Sequence, residues 1–187
     1  MKFRDFIRFL TPKKDRRIKY ATLVYLSEDD KVLMIKKGER KNDPNSRFYT
    51  PSGGKIEECE MGLDNPGGRL EAAVREVEEE AGLTPYHLTL RGEILFDNSE
   101  RIFSRWRRLD DYKVYIFSCS QHIESPGKRK KGEGIPVWVK KSDIPFLPKN
   151  PGDELMYKWL DDGRSFSGVI KCMGKKVDAA HSWINFY

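Results

Sequence analysis

Cysteine and histidine are scarce in this chain, and each scarcity excludes a chemistry. Three cysteines in 187 residues, Cys59, Cys119 and Cys172, form neither a CxxC pair nor a metal-ligand spacing. A disulfide framework and a thiolate metal centre are therefore not expected, and the thiols read as free in a reducing compartment. His87, His122 and His181 stand far apart and match no ligand motif. No run approaches the roughly 18 apolar residues of a membrane span, and the first residues lack the apolar segment of a signal peptide, so the expectation is a cytoplasmic protein with no membrane partner. Internal repeats and low-complexity segments are missing too. Charge is what the chain has in quantity: 34% of residues are charged and the net charge is +6. With 38% hydrophobic and 12% aromatic residues there is enough to bury a core, and the length suits one domain over residues 1–187. The positive excess favours an anionic partner.

Phe3, Phe6, Ile7 and Leu10 recur at helical spacing, which predicts a short amphipathic helix within an N-terminal extension of residues 1–18. It would dock on the domain or, alternatively, lie on a membrane surface. Tyr20 to Leu26 and Lys31 to Ile35, divided by Ser27-Glu28-Asp29-Asp30, predict a β-hairpin. Leu88 to Phe96, Lys113 to Cys119 and Val137 to Val139 have the β-branched and aromatic content of strands. Glu154 to Leu160 reads as a helix, and Gly168 to Tyr187 as a closing hairpin around Gly174. These elements predict an α/β domain with a mixed sheet.

The stretch Arg75-Glu76-Val77-Glu78-Glu79-Glu80-Ala81-Gly82-Leu83, with Gly53-Gly54-Lys55-Ile56-Glu57 before it, carries the chemistry. On a helix, Glu76, Glu79 and Glu80 share one arc, while Leu70, Ala73, Val74, Val77 and Ala81 share another. Like charges one turn apart cost a few tenths of a kcal/mol unless something neutralises them. A hard divalent cation does so, and Mg²⁺ is the usual partner of carboxylate oxygens. Glutamine at Glu79 or Glu80 should then leave metal-free stability unchanged or higher. Arg75, four residues before Glu79, is placed to hold that carboxylate. Gly82 reads as the helix stop.

The same residues resemble the Nudix box, G-x5-E-x7-R-E-U-x-E-E-x-G-U with U aliphatic: Gly54 and Glu60 fit its first part, and Arg75, Glu76, Val77, Glu79, Glu80, Gly82 and Leu83 its second. One departure is a seven-residue excess between Glu60 and Arg75, assigned to residues 61–67 as a turn-rich surface bulge before a helix starting near Arg69, the other reading being an insert that leans over the cleft and helps choose the substrate. The resemblance implies an α/β/α sandwich with a mixed β-sheet. It implies a metal site drawn from the Gly54 carbonyl, Glu60, Glu76, Glu79, Glu80 and Glu133, with Mn²⁺ as the alternative ion to Mg²⁺. Arg75 would orient a glutamate. Glu133, five residues before Trp138, resembles an additional metal-binding glutamate of the family and is the candidate base, the other reading being a solvated acid in a lysine-rich loop.

Beyond the box, Pro136-Val137-Trp138-Val139, Asp143-Ile144-Pro145-Phe146 and Pro151-Gly152-Asp153-Glu154 resemble the mutator-type branch that hydrolyses 8-oxo-dGTP and related nucleoside triphosphates. That implies a base pocket from Phe48, Tyr49 and Thr50 on one side and Asn150 and Asp153 on the other. Tyr49 would stack on a base or simply pack, and Asp153 would read a base edge or cap the Glu154 to Leu160 helix. The expected reaction converts a nucleoside triphosphate to a monophosphate and pyrophosphate. Its rivals are an ADP-ribose or nucleotide-sugar diphosphate, and a catalytically silent nucleotide-binding domain. A third rival is the 5′ end of RNA, suggested by Arg101, Arg105, Arg107, Arg108 and Lys128 to Lys131.

Overall fold

Strand residues alternate between two apolar clusters, and this alternation decides the architecture. The computed structural model describes residues 18–38, 47–57, 66–102, 105–108, 110–130, 132, 134–174 and 176–187, without side chains at 66, 100–102 and 105–108. In chain order the elements are β1 (Ile18–Glu28), β2 (Lys31–Lys36), β3 (Tyr49–Thr50), α1 (Pro66–Ala81), β4 (Leu83–Tyr86), β5 (Thr89–Ile102), β6 (Arg105–Arg108) and β7 (Asp111–Cys119). There follow β8 (Gln121–Glu124), β9 (Ile135–Lys140), α2 (Pro151–Asp161), β10 (Phe166–Met173), β11 (Lys176–Val177) and β12 (Trp183–Phe186). From β1, Val24 and Leu26 join Leu33, Tyr115 and Phe117 against Ala72, Ala73 and Val77 of α1. The intervening Leu23 and Tyr25 pack with Met34, Val114 and Ile116 against Met156, Tyr157, Trp159 and Leu160 of α2. A helix therefore covers each face, and the fold is the expected α/β/α sandwich.

The sheet runs β11-β10-β5-β7-β1-β2-β3, with β12 beside β10, β6 beside β5 and β9 beside β2. It is mixed: β1 pairs with β7 and β10 with β5 in parallel, while β5 and β7 are antiparallel. β1 and β2 form the expected hairpin, yet they pair only at its closed end, Ser27 with Val32 and Glu28 with Lys31. Farther along they splay. Residues 52–56 enter that gap: the amides of Thr22 and Val24 donate to the carbonyls of Gly54 and Ser52, and the Ile56 amide donates to the Tyr20 carbonyl. The glycine turn is thus held as an extra edge of the sheet.

Several expectations need correction. α1 starts at Pro66, not near Arg69; proline suits the first helical position because its ring presets φ and no amide is needed there. Pro66 and Gly67 accordingly belong to the helix, and residues 61–65 of the excess lie outside the described residues, as do residues 1–17 of the extension. Leu70, placed by periodicity on the apolar face, is 40% exposed, whereas Ala72 is fully buried. The helix is rotated so that its glutamate edge, not Leu70, turns inward. Gly82 does end α1, in left-handed conformation at φ 72° with its amide donating to the Glu78 carbonyl. The tail forms its hairpin as read, Met173 facing Lys176 across Gly174.

Candidate active site

Glu80 is the fixed point of the site. It is only 2% exposed, because α1 packs this edge onto the glycine turn. Lys37 Nζ donates to its Oε1 at 2.7 Å, and Ser52 Oγ and the Gly53 amide donate to its Oε2 at 2.9 Å each. Glu76, one turn earlier, lies over Gly54 so closely that a Cβ there would stand 2.5 Å from its carboxylate. Burial pushes the Glu76 carboxyl above its ordinary pKa, with Glu80 and Glu79 adding to the effect and Arg75 opposing it. The Arg75 guanidinium donates to Glu76 Oε1 at 2.7 Å and to the Lys55 carbonyl at 3.1 Å, and stands 3.5 Å from Glu79 Oε2. Arg75 therefore orients two glutamates, with Glu76 the tighter partner.

The basic loop is seated on the acidic helix. Lys130 Nζ pairs with Glu79 Oε1 at 2.7 Å, and its amide donates to the Glu79 carbonyl. Arg129 Nε donates to the Glu80 carbonyl, and Lys128 Nζ to Glu78 Oε1. These bonds satisfy carbonyls that a helix end leaves open and set cations at its negative pole. Burial raises the Glu78 carboxyl, but the bonds from Lys128 and Thr84 outweigh it and hold the group below its usual value. Glu76, Glu79 and Glu80 are in this way individually paired with Arg75, Lys130 and Lys37. Among the described residues no three acidic, histidine or cysteine side chains converge on one cation position. Glu60, Glu133 and Lys131 lie outside the described residues, while Gly134 stands against Ile35 and the Lys36 carbonyl. The Gly54 carbonyl accepts the Thr22 amide at 2.8 Å. Arg101, Arg105, Arg107 and Arg108 fall on the paired ends of β5 and β6, their side chains outside the described ones.

The Tyr49 amide donates to the Pro148 carbonyl at 2.8 Å, which joins Phe48, Tyr49 and Thr50 to the loop entering α2. Tyr49 packs against the α2-side core, with Lys36 Nζ 5.8 Å above its ring. Asn150, not Asp153, is the N-cap residue of α2; proline at the first helical position fixes the start there, and Asp153 falls inside the first turn. Asp153 is 6% exposed, and its Oδ2 is buried with no partner among the described residues. Burial pushes its carboxyl up to about 6, against the hydrogen bonds from Asn150 and the charge of Lys149.

The raised value has a definite sign. The folded carboxyl binds its proton more tightly than the unfolded one, so stability falls as the pH rises from about 4 to about 6. Asp153→Asn should therefore add on the order of 1–2 kcal/mol at neutral pH and nothing near pH 4. Urea melts across this range check it; an unchanged pH dependence in the variant would assign the titration to another group.

Sequence reasoning missed Lys37, Ser52, Gly53 and Lys130 as partners of the glutamates. Adjacency to the glycine pair was a signal for Ser52 and Gly53, but Lys37 is 43 residues from Glu80 and nothing local marks it.

A NUDIX domain family model matches residues 17–160. The chain is 31% identical over 83 residues to the 8-oxo-dGTP diphosphatase of Escherichia coli, a match covering 41% of this chain and 64% of that protein's length. Among solved structures, the mutator MutT protein from Bacillus halodurans superposes with a TM-score of 0.65 at 22% identity, covering 90% of this chain and 97% of that one. The NUDIX domain of Shewanella oneidensis NrtR, complexed with ADP ribose, gives 0.53 at 15% identity, covering 87% and 99%.

Proposed function

The chain belongs to the NUDIX domain family, and from that premise we propose that it hydrolyses a phosphoric anhydride, with a nucleoside triphosphate as substrate and Mg²⁺ or Mn²⁺ as cofactor. The products are a nucleoside monophosphate and pyrophosphate. The observation that carries this reading is the buried Glu80, bonded through both oxygens and set beside a Glu76 carboxylate that fills the space over Gly54. A hard divalent cation fits these residues by the chemistry of their donors, once the side-chain cations that now pair with the separate carboxylates give way. The donors are all oxygens, the ligand type such an ion takes. Glu76, Glu79 and Glu80 would hold the ion, which when bound would neutralise charge on phosphate oxygens and acidify an attacking water.

The remaining work falls to side chains. Arg75 keeps Glu76 and Glu79 turned toward the cleft, and Glu133 takes the proton from the attacking water. Phe48, Tyr49, Thr50 and Asn150 flank the base, and Asp153 reads its edge. A buried carboxyl that titrates near 6 can accept or donate a hydrogen bond there, which suits a purine edge altered by oxidation such as that of 8-oxo-dGTP. The second reading, cleavage of a diphosphate such as ADP-ribose, draws on the relative solved with ADP ribose. A panel of nucleoside triphosphates, their oxidised forms and ADP-ribose, assayed with and without Mg²⁺, separates the two. Pyrophosphate release from triphosphates supports the first, and turnover of ADP-ribose alone supports the second.

A further inference from the structure

Lys37, just past the end of β2, carries its charge to the buried Glu80. Its Nζ pairs with Glu80 Oε1 at 2.7 Å, and its side chain is 29% exposed while that of Glu80 is 3% exposed. Glu80 Oε2 is already taken by Ser52 Oγ and the Gly53 amide, so Oε1 is the oxygen left for any cation, and the lysine holds it. An ammonium and a divalent ion on the same oxygen repel each other, and the single carboxylate charge they share offsets that repulsion only in part. The ammonium is the mobile partner, being a compact charge on a flexible stem that reaches solvent. The Lys37 amide meanwhile donates to the Phe48 carbonyl at 2.9 Å, which anchors the base of that stem beside the flank assigned to substrate.

We propose that Lys37 is a transferable counter-ion: it neutralises buried Glu80 when no metal is bound, yields Oε1 to the arriving divalent cation, and then pairs with a non-bridging phosphate oxygen of the substrate. The proposal rests on the metal-dependent reading above. It makes Lys37 a competitor of the metal and a ligand of the substrate, so its removal should move two constants in opposite directions.

The test is Lys37→Met in the full-length protein. Binding of Mn²⁺ alone, followed by electron paramagnetic resonance and by calorimetry without nucleotide, should tighten by 10-fold or more, roughly the scale of an altered neighbour to a metal ligand. With Mg²⁺ in saturating amount, KM for a nucleoside triphosphate should rise about 10-fold and kcat change little, the pattern of lost uniform binding. Lys37→Gln, which retains a donor toward Oε1, serves if the methionine variant does not fold. An unchanged Mn²⁺ affinity would overturn the proposal while leaving the metal-dependent reading intact. A wild-type protein that binds no Mn²⁺ would overturn both.

Discussion

Glu80→Gln is expected to cut turnover by at least about 10²-fold, the loss of several kcal/mol of transition-state stabilisation. It should also lower metal-free stability by about 1–3 kcal/mol. The second effect reverses what the sequence alone suggests. Relief of like-charge repulsion between Glu76 and Glu80 is worth only tenths of a kcal/mol. Every partner of the Glu80 carboxylate is a donor: Lys37 on one oxygen, Ser52 and Gly53 on the other. A glutamine must present its NH₂ to one of these sets whichever way it turns: toward the Lys37 ammonium it meets only donors, and toward the Gly53 amide only the Ser52 hydroxyl can turn to accept. Glu79→Gln, by contrast, sits where the side chain is 19% exposed beside Lys130 and Arg75, so it should lose a comparable fraction of turnover with little change in stability. Circular dichroism melts paired with initial rates decide, and a folded Glu80→Gln protein turning over near the normal rate would sink the cage assignment.

Alanine at the two neighbouring glycines should separate fold from chemistry. At Gly53 an added Cβ would lie 2.1 Å from the Thr22 carbonyl oxygen and 2.9 Å from the Leu23 Cα, both backbone atoms of β1. Neither can move without opening the sheet edge, and Gly53→Ala is expected to cost about 3 kcal/mol or more. At Gly54 the added Cβ meets the Glu76 carboxylate, the end of a flexible side chain. Gly54→Ala should therefore fold with a loss of only about 1 kcal/mol. Its activity should fall about 10²-fold, because a displacement near 1 Å of a positioned group costs that much. Comparable melting temperatures for the two variants would contradict this division.

Strand content and the acid helix were legible because each depends on local pattern. β-branched and aromatic runs marked β1, β2, β5, β7 and β9, and the box residues marked α1 together with Gly82 as its stop. The start of α1 was misread because Pro66-Gly67-Gly68 looks like a turn, although proline equally opens a helix. Leu70 was put on the apolar arc by helical periodicity alone, with the acid arc expected to lie away from the core. Glu80 breaks that assumption, since three donors brought from outside the helix make its burial tolerable. Those donors could not be read locally: Ser52 is 28 residues from Glu80, and Lys37 reaches it only because β2 ends beside the glycine turn. Asp153 was legible as a candidate but not as a buried one. Its orphaned oxygen and raised pKa arise from α2 packing on the sheet.

The splay of β1 away from β2 has a kinetic consequence. Residues 52–56 are laced to β1 by three amide bonds, and β1 is paired with β7 from Ile18 to Leu26. Opening the floor of the cleft thus means tearing the central sheet, an event on the timescale of global unfolding rather than of loop motion. Lys130, whose side chain is 59% exposed, and the half-buried Lys37 rearrange by side-chain rotation, on timescales far shorter than that. Adaptation to different anionic ligands would therefore proceed through side chains such as these, while the glycine turn beneath them stays as slow to move as the fold itself.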